Sequence, residues 1–194
     1  MLRRTLLAGL VAALPTLAMA QAAKPDPQNT LAIDLKDGRV LIELLPNIAP
    51  KHAERLKTLT KRGFYDNIVF HRVIDGFMAQ TGDVQHGNMD KGFDAAMAGT
   101  GGSSLPDIPA EFTDKEGFVR GTVGMARSQN PDSANSQFFI MFAPGEFLNG
   151  QYTIIGNVTE GMERVDNITK GDQANNGAVA TPDKMVSVKI AADN

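Results

Sequence analysis

The chain has 194 residues, with 19 lysines and arginines, 22 aspartates and glutamates, and no cysteine. A net charge of −3 excludes the broad basic surface that nucleic acid or an anionic membrane attracts, so neither is expected as a partner. Because disulfides and thiolate metal sites are also excluded, the hydrophobic core alone must stabilise the fold.

The first twenty residues have the order of a secretory signal peptide. Two arginines precede an apolar run from Thr5 to about Leu17, and Ala18-Met19-Ala20 provides a small-residue cleavage site. Ala22 ends a second such site. The run is shorter than the roughly 20 residues of a membrane-spanning helix, and Pro15 interrupts it. We therefore predict export, a periplasmic location in a cell with two membranes, and no membrane attachment once residues 1–20 are removed.

The next elements are a leader, a hairpin and a helix. Residues 21–29 contain two prolines and little apolar content, which predicts a flexible leader before a single domain at residues 30–192. Alternating apolar residues on both sides of Asp37-Gly38 predict a β-hairpin. Pro50, apolar residues at helical spacing and Gly63 predict an amphipathic helix between them.

The rest of the chain is strand-like. A second short helix is expected at residues 161–170, because Met162, Val165 and Ile168 recur at spacings of three. Short apolar runs predict five further strands, at residues 68–74, 122–126, 137–142, 153–158 and 185–191. Many strands, two helices and long glycine-rich loops indicate a β-barrel or sandwich with helical caps.

Three common kinds of active site find little support. No serine lies in a Gly-x-Ser-x-Gly turn, and His71 and Arg72 are expected on opposite faces of a strand, which disfavours hydrolysis. The three histidines lack metal-ligand spacing, so no metal is expected. The glycine run at residues 99–102 lacks the Lys-Ser/Thr ending of a phosphate loop and is interpreted as backbone that shapes a groove wall.

The residues that remain indicate a pocket. On the predicted strand at residues 68–74, positions 70, 72 and 74 share one face. The side chain of Arg72 is therefore expected to face a cavity. Phe77 and Met78 follow a bend at Gly76, and Gln137 lies among phenylalanines on another strand. A core seldom contains such polar side chains unless their donors have partners.

Five motifs together resemble the cyclophilin family of peptidyl-prolyl cis–trans isomerases. The resemblance is collinear from about residue 30 to residue 191. The motifs are FHRVIDGFMAQTGD at 70–83, GMA at 124–126, SQFFI at 136–140, FLNG at 147–150 and IGNV at 155–158.

The resemblance implies a mainly β fold, a closed eight-stranded antiparallel barrel capped by two short helices, with a groove that binds Xaa-Pro segments. It implies that Arg72 is catalytic and that no cofactor is needed. It further implies substrate-binding roles for the apolar residues Phe77, Met78, Phe139, Phe147 and Leu148, and for Gln80, Ala126, Arg127, Gln137 and Tyr152. Proline-containing peptides and unfolded exported proteins are the expected partners of a monomer.

The chain departs from many eukaryotic relatives at three rim positions. Phe147 lies where they carry a tryptophan that helps to bind cyclosporin, Tyr152 where they carry a histidine, and Arg127 where they carry an asparagine. Cyclosporin is therefore expected to bind weakly. The loop at residues 85–98 is longer than in compact relatives, and the sequence suggests no function for it.

Two rival functions remain open. A module that grips proline-containing segments as a chaperone or assembly partner, without turnover, would need only the apolar pocket, so the arginine favours catalysis. A barrel that carries a small lipophilic ligand would need an open apolar interior, which the helical caps argue against.

Overall fold

A computed structural model describes residues 25–193, which form one eight-stranded sheet and two α-helices. All neighbouring strands are antiparallel, in the order β3-β4-β6-β5-β7-β2-β1-β8. The helices are α1 (Pro50–Lys61) and α2 (Met162–Asp166). The strands are β1 (Thr30–Leu35), β2 (Gly38–Leu44), β3 (Arg72–Ile74), β4 (Met78–Thr81), β5 (Thr122–Met125), β6 (Phe138–Met141), β7 (Ile154–Glu160) and β8 (Ser187–Ile190).

The predicted hairpin is present as β1 and β2. Leu35 pairs with Gly38 across the turn, where Gly38 has a φ of 125° that a side chain would disfavour. Before β1, Pro27–Asn29 forms a 3-10 helix capped by Asp26, so regular structure begins inside the predicted leader. The predicted signal peptide lies outside the described residues. None of the helices within residues 25–193 is long and apolar enough to span a membrane.

The sheet is curled but open, so the prediction of a closed barrel is wrong. Its edges are β3 and β8, and the predicted strand at residues 68–74 is regular only in its last three residues. Instead of a ladder, single backbone bonds span the gap: Phe70 N donates to the Asp183 carbonyl at 2.8 Å and Met185 N to the Ile68 carbonyl at 2.9 Å. Both joining segments are irregular, which prevents continuous pairing of the edges.

Helix α1 begins at Pro50 as predicted, and a distant side chain holds its first turn. The Glu111 carboxylate accepts from the backbone N–H groups of Lys51 and His52 and contacts His52 Nδ1 at 2.7 Å. A carboxylate there satisfies free N–H groups and the helix dipole. Helix α2 ends earlier than predicted, at Asp166, and the Lys170 ammonium donates to the carbonyls of Asp166 and of Ile168 just beyond the helix.

The two-residue period of the strands divides the apolar side chains between two faces. On β6, Phe138 and Ile140 face the main core inside the curl, together with the buried side of α1. Phe139 and Met141 face the other way, into a smaller cluster. The members of this second cluster are Met78, Phe118, Phe139, Met141, Leu148 and Ile154. The second cluster forms the floor of the candidate site.

Candidate functional site

An apolar cavity of about 310 Å³ lies over the second cluster. The structure brings together at this cavity every predicted site residue except Gln137. The lining residues are Arg72, Phe77, Met78, Gln80, Ala126, Arg127, Phe139, Phe147, Leu148 and Tyr152. They come from β3, from β4 and the residue before it, from the segment after β5, and from β6 and the segment after it. Only the folded sheet places them side by side.

The cavity floor is held by aromatic packing. Phe139 is 5 % exposed, stacks on Phe118 with ring centroids 5.7 Å apart and meets Tyr152 edge-on at 5.8 Å. A side chain on Gly124 would lie 2.5 Å from Phe139 and 2.6 Å from Phe118, so this position must be glycine. Phe118 was not predicted from the sequence, and Gly124 was named only within the GMA motif, although a glycine inside a predicted strand signals such a close approach.

At the lip of the cavity Phe77 and Phe147 lie with ring centroids 5.6 Å apart. The 3-10 helix Glu146–Leu148 positions this lip: Leu148 points into the second cluster, whereas Phe147 is 71 % exposed. An exposed phenyl ring beside an apolar cavity is available to a ligand.

Arg72 is held in one orientation at the edge of the cavity. Its Nε and Nη2 donate to the backbone carbonyl and side-chain Oδ1 of Asn176, each at 3.0 Å, and its Nη1 donates to Gln80 Oε1 at 3.3 Å. Burial lowers the pKa of Arg72, but arginine stays charged at physiological pH. Asn176, in the left-handed region at φ 51°, was missed by the sequence analysis because it lies 104 residues away.

Gln80 links Arg72 to Gln137. Gln80 Nε2 donates to Gln137 Oε1 at 3.0 Å, and Gln137 Nε2 donates to the carbonyls of Gly99 and Gly101 at 3.0 and 2.8 Å. The glycine run thus lies in the groove wall, as predicted. The hydrogen bonds restrain both amides next to the guanidinium.

The carboxylate of Asp83 holds the glycine run at residues 99–102 through backbone hydrogen bonds. It is fully buried, and its Oδ2 accepts from the backbone N–H groups of Gly99 and Gly101 at 2.8 and 3.0 Å. Its Oδ1 accepts from Gln85 N and His86 N, so both ends of the loop at residues 85–98 close on one carboxylate. This role of Asp83 was not predicted from the sequence.

A second, polar groove of about 460 Å³ adjoins the apolar cavity. Gln80, Ala126 and Arg127 line both spaces, and Gln137 lines only the polar one. Arg127 also contacts the segment at residues 151–152. Its Nε and Nη2 donate to the Gln151 carbonyl at 3.1 and 2.8 Å, and its guanidinium lies 4.3 Å from the Tyr152 ring centroid.

The residues before Arg72 differ from the predicted strand alternation. Phe70 packs into the main core together with Val73 and does not share the face of Arg72, because the regular strand begins only at residue 72. His71 is buried beside Gly99, and neither ring nitrogen has a hydrogen-bond partner in the described residues.

His71 gives a prediction about stability and pH. Burial lowers its pKa from 6.5 to about 4, so between these values the unfolded chain binds a proton that the folded chain does not. The free energy of unfolding should therefore fall as the pH drops from 6.5 towards 4. In His71→Phe the decline, measured by urea unfolding at several pH values, should be shallower. An unchanged decline would contradict this role.

Within the described residues no group of three or more histidines, aspartates and glutamates is placed to hold a metal ion. Near the site, the Asp83 carboxylate accepts from backbone N–H groups, and Asp107 accepts from the side-chain amide of Asn135. The arrangement therefore offers hydrogen bonds and the fixed positive charges of Arg72 and Arg127 beside an apolar cavity. Such a site suits a reaction that moves charge without transferring a group.

Known proteins resemble this chain over nearly its whole length. The sequence profile of the family described as cyclophilin type peptidyl-prolyl cis-trans isomerase/CLD matches residues 30–190. A probable peptidyl-prolyl cis-trans isomerase of Brucella suis is 60 % identical over 99 % of this chain and 97 % of its own length. A peptidyl-prolyl cis-trans isomerase of Acinetobacter baylyi is 35 % identical over 81 % of this chain and 82 % of its own.

Two solved structures share the fold. The cyclophilin AquaCyp293 from Hirschia baltica superimposes with a TM-score of 0.71 at 27 % identity, over 88 % of this chain and 76 % of that one. A cyclophilin type isomerase from Cryptosporidium parvum, crystallised in the presence of the dipeptide Ala-Pro, gives a TM-score of 0.69 at 26 % identity, over 83 % of this chain and 98 % of that one.

Proposed function

The chain belongs to the cyclophilin-type peptidyl-prolyl cis–trans isomerase family, and on this basis we propose that the apolar cavity beside Arg72 is its active site. The observation that carries the proposal is one oriented guanidinium at the edge of a cavity with apolar walls. Proline-containing segments are the substrates, in keeping with the Ala-Pro dipeptide of the Cryptosporidium relative.

The reaction is limited by the partial double bond of the amide. Rotation about it has a barrier of about 18–20 kcal/mol, and Xaa-Pro bonds interconvert over roughly tens to hundreds of seconds. In the twisted transition state the prolyl nitrogen regains its lone pair. Since no bond is broken and no group is transferred, the enzyme needs only to bind the twisted amide more tightly than either planar form.

Arg72 acts on the nitrogen. Its guanidinium donates a hydrogen bond to the developing lone pair, and because Asn176 and Gln80 already hold the side chain, little reorganisation accompanies the reaction. The apolar walls around Met78, Phe139 and Leu148 hold the proline ring and exclude water that would compete for this hydrogen bond.

Isomerase activity of the purified mature protein tests this assignment, measured by NMR exchange on short Xaa-Pro peptides with Arg72→Ala in parallel. Turnover that depends on Arg72 supports it. If the peptides bind but their isomers exchange no faster, the site is a binding module for proline segments, which is the rival function.

We also propose that the enzyme assists the folding of exported proteins in the periplasm. The support is the signal-peptide pattern of residues 1–20. The test is to fractionate cells that express the full chain and to sequence the N-terminus of the product. Periplasmic protein that begins at Gln21 or Ala23 supports export, and cytoplasmic protein that retains Met1 contradicts it.

Cyclosporin binding should be weak and should improve in Phe147→Trp. Phe147 lacks the indole N–H donor and the larger ring of tryptophan, and at 71 % exposure it has room for the larger side chain. Titration calorimetry should show a lower Kd for Phe147→Trp. Phe64→Trp, at an exposed phenylalanine outside both spaces, is the matched control. Tight binding by the unmodified protein, or equal gains in both variants, would contradict control by position 147.

A further inference from the structure

Two arginines beside the cavity have no acidic partner. Arg39, Arg120 and Arg164 each form an ion pair with a carboxylate, but within residues 25–193 neither Arg72 nor Arg127 lies within 4.0 Å of a carboxylate oxygen. Although the chain has a net charge of −3, the site therefore carries two positive charges that are not neutralised by contact.

Arg127 is oriented by neutral groups only. Its Nε and Nη2 donate to the Gln151 carbonyl, and its Nη1 donates to the Ser128 carbonyl at 2.9 Å. These bonds use three of the five N–H groups of a guanidinium, and the others remain available. Because the guanidinium is already held by two carbonyls, a third acceptor would bind with little further loss of side-chain entropy.

Arg127 lies where a bound peptide would contact it. It lines both the apolar cavity and the polar groove, so a peptide with its proline in the cavity and a neighbouring residue in the groove must pass it. Asp107 also lines the polar groove. Its Oδ1 accepts from Asn135 Nδ2 at 2.9 Å, and its charge acts on Arg55, so it only partly offsets Arg127.

We propose that Arg127 makes the enzyme select proline segments that carry an acidic side chain in the polar groove. This selection rests on the proposed function, because it requires the proline in the cavity beside Arg72. A carboxylate on the substrate would accept from the free N–H groups of Arg127, and a charge-assisted hydrogen bond of this kind is stronger than a neutral one. Lysine in the same place would be repelled by Arg127.

The experiment uses short peptides with one proline. Each of the three residues before it and the two after it is made glutamate, glutamine or lysine in turn, and kcat/KM is measured by NMR exchange with the mature enzyme. At one position at least, glutamate should exceed glutamine by about threefold, and lysine should fall below glutamine. The ratio of glutamate to glutamine should shrink at high salt, since part of Arg127 is exposed to solvent.

Variants assign the preference to Arg127. In Arg127→Gln the ratio of glutamate to glutamine should fall to about one, and Arg127→Lys should retain part of it because the charge remains. Arg62→Gln removes the same charge from an exposed position outside both spaces and should keep the full ratio. The ratio compares two substrates of the same variant, so a general loss of activity or stability cancels.

Two results would overturn the proposal: a ratio near one at all five positions in the unmodified enzyme, or a ratio that survives in Arg127→Gln. Failure of the proposed function gives a different result, because then even the glutamine peptides show no catalysed exchange. In that case calorimetric Kd values for the same peptides report the charge preference by themselves, and equal values for glutamate and glutamine overturn it.

Discussion

Arg72→Ala is expected to lower kcat/KM by at least tenfold, which corresponds to about 1.4 kcal/mol of lost transition-state stabilisation. The variant loses the guanidinium that donates to the prolyl nitrogen. It should still fold, because Arg72 is only half-buried and its partners Asn176 and Gln80 keep access to water. NMR exchange on a short Xaa-Pro peptide measures the rate, and thermal unfolding checks the fold.

Two further variants distinguish charge from geometry in this experiment. Arg72→Lys keeps the positive charge but lacks the planar fork held by Asn176, so it should recover little of the activity. Arg62→Ala, at the exposed end of α1, should retain the activity of the unmodified enzyme. Near-normal turnover by a folded Arg72→Ala variant would show that the guanidinium does not stabilise the transition state.

Phe139→Ala should lower the free energy of unfolding by about 3–5 kcal/mol. The ring is 5 % exposed, stacks on Phe118 and contacts the edge of Tyr152, so its removal leaves a cavity between the second cluster and the site. Because the same ring forms part of the cavity floor, KM for proline peptides should rise as well. Urea unfolding and isomerase kinetics measure the two effects.

The matched control is Phe147→Ala. Phe147 lines the same cavity but is 71 % exposed, so its loss should change the free energy of unfolding by no more than about 0.5 kcal/mol while it weakens substrate binding at the lip. If Phe139→Ala were as stable as Phe147→Ala and bound substrate normally, Phe139 would contribute neither to the core nor to the site.

Local patterns predicted the elements whose geometry depends on near neighbours. The Asp37-Gly38 turn and its flanking alternation produced the hairpin, and Pro50 marked the start of α1. The residues that line the cavity were expected from the resemblance of five motifs to cyclophilins, and of these Gln137 lines only the adjoining polar groove. The hairpin and the start of α1 were confirmed because hydrophobic period and turn chemistry act over only a few residues.

Two of the errors, the face of Phe70 and the closed barrel, fell where distant segments meet. Phe70 was expected on the face of Arg72 but turns into the core, because the backbone at residues 67–70 bonds to Asp183 and Met185 instead of forming a regular strand. The same irregularity leaves the sheet open. Alternation cannot reveal this, since a bond to a segment more than 100 residues away leaves no trace in the local pattern.

By itself, the sequence determined the mainly β class, the hairpin and the start of α1, because side-chain polarity and turn preferences are local properties. The residues of the cavity were expected from the resemblance to cyclophilins. The tertiary structure alone decided the orientation of the Arg72 side chain. Asn176, 104 residues further on, holds the guanidinium, and buried Asp83 holds the glycine loop that binds Gln137. A hydrogen bond needs its two atoms about 3 Å apart, and only the folded sheet brings such distant residues that close.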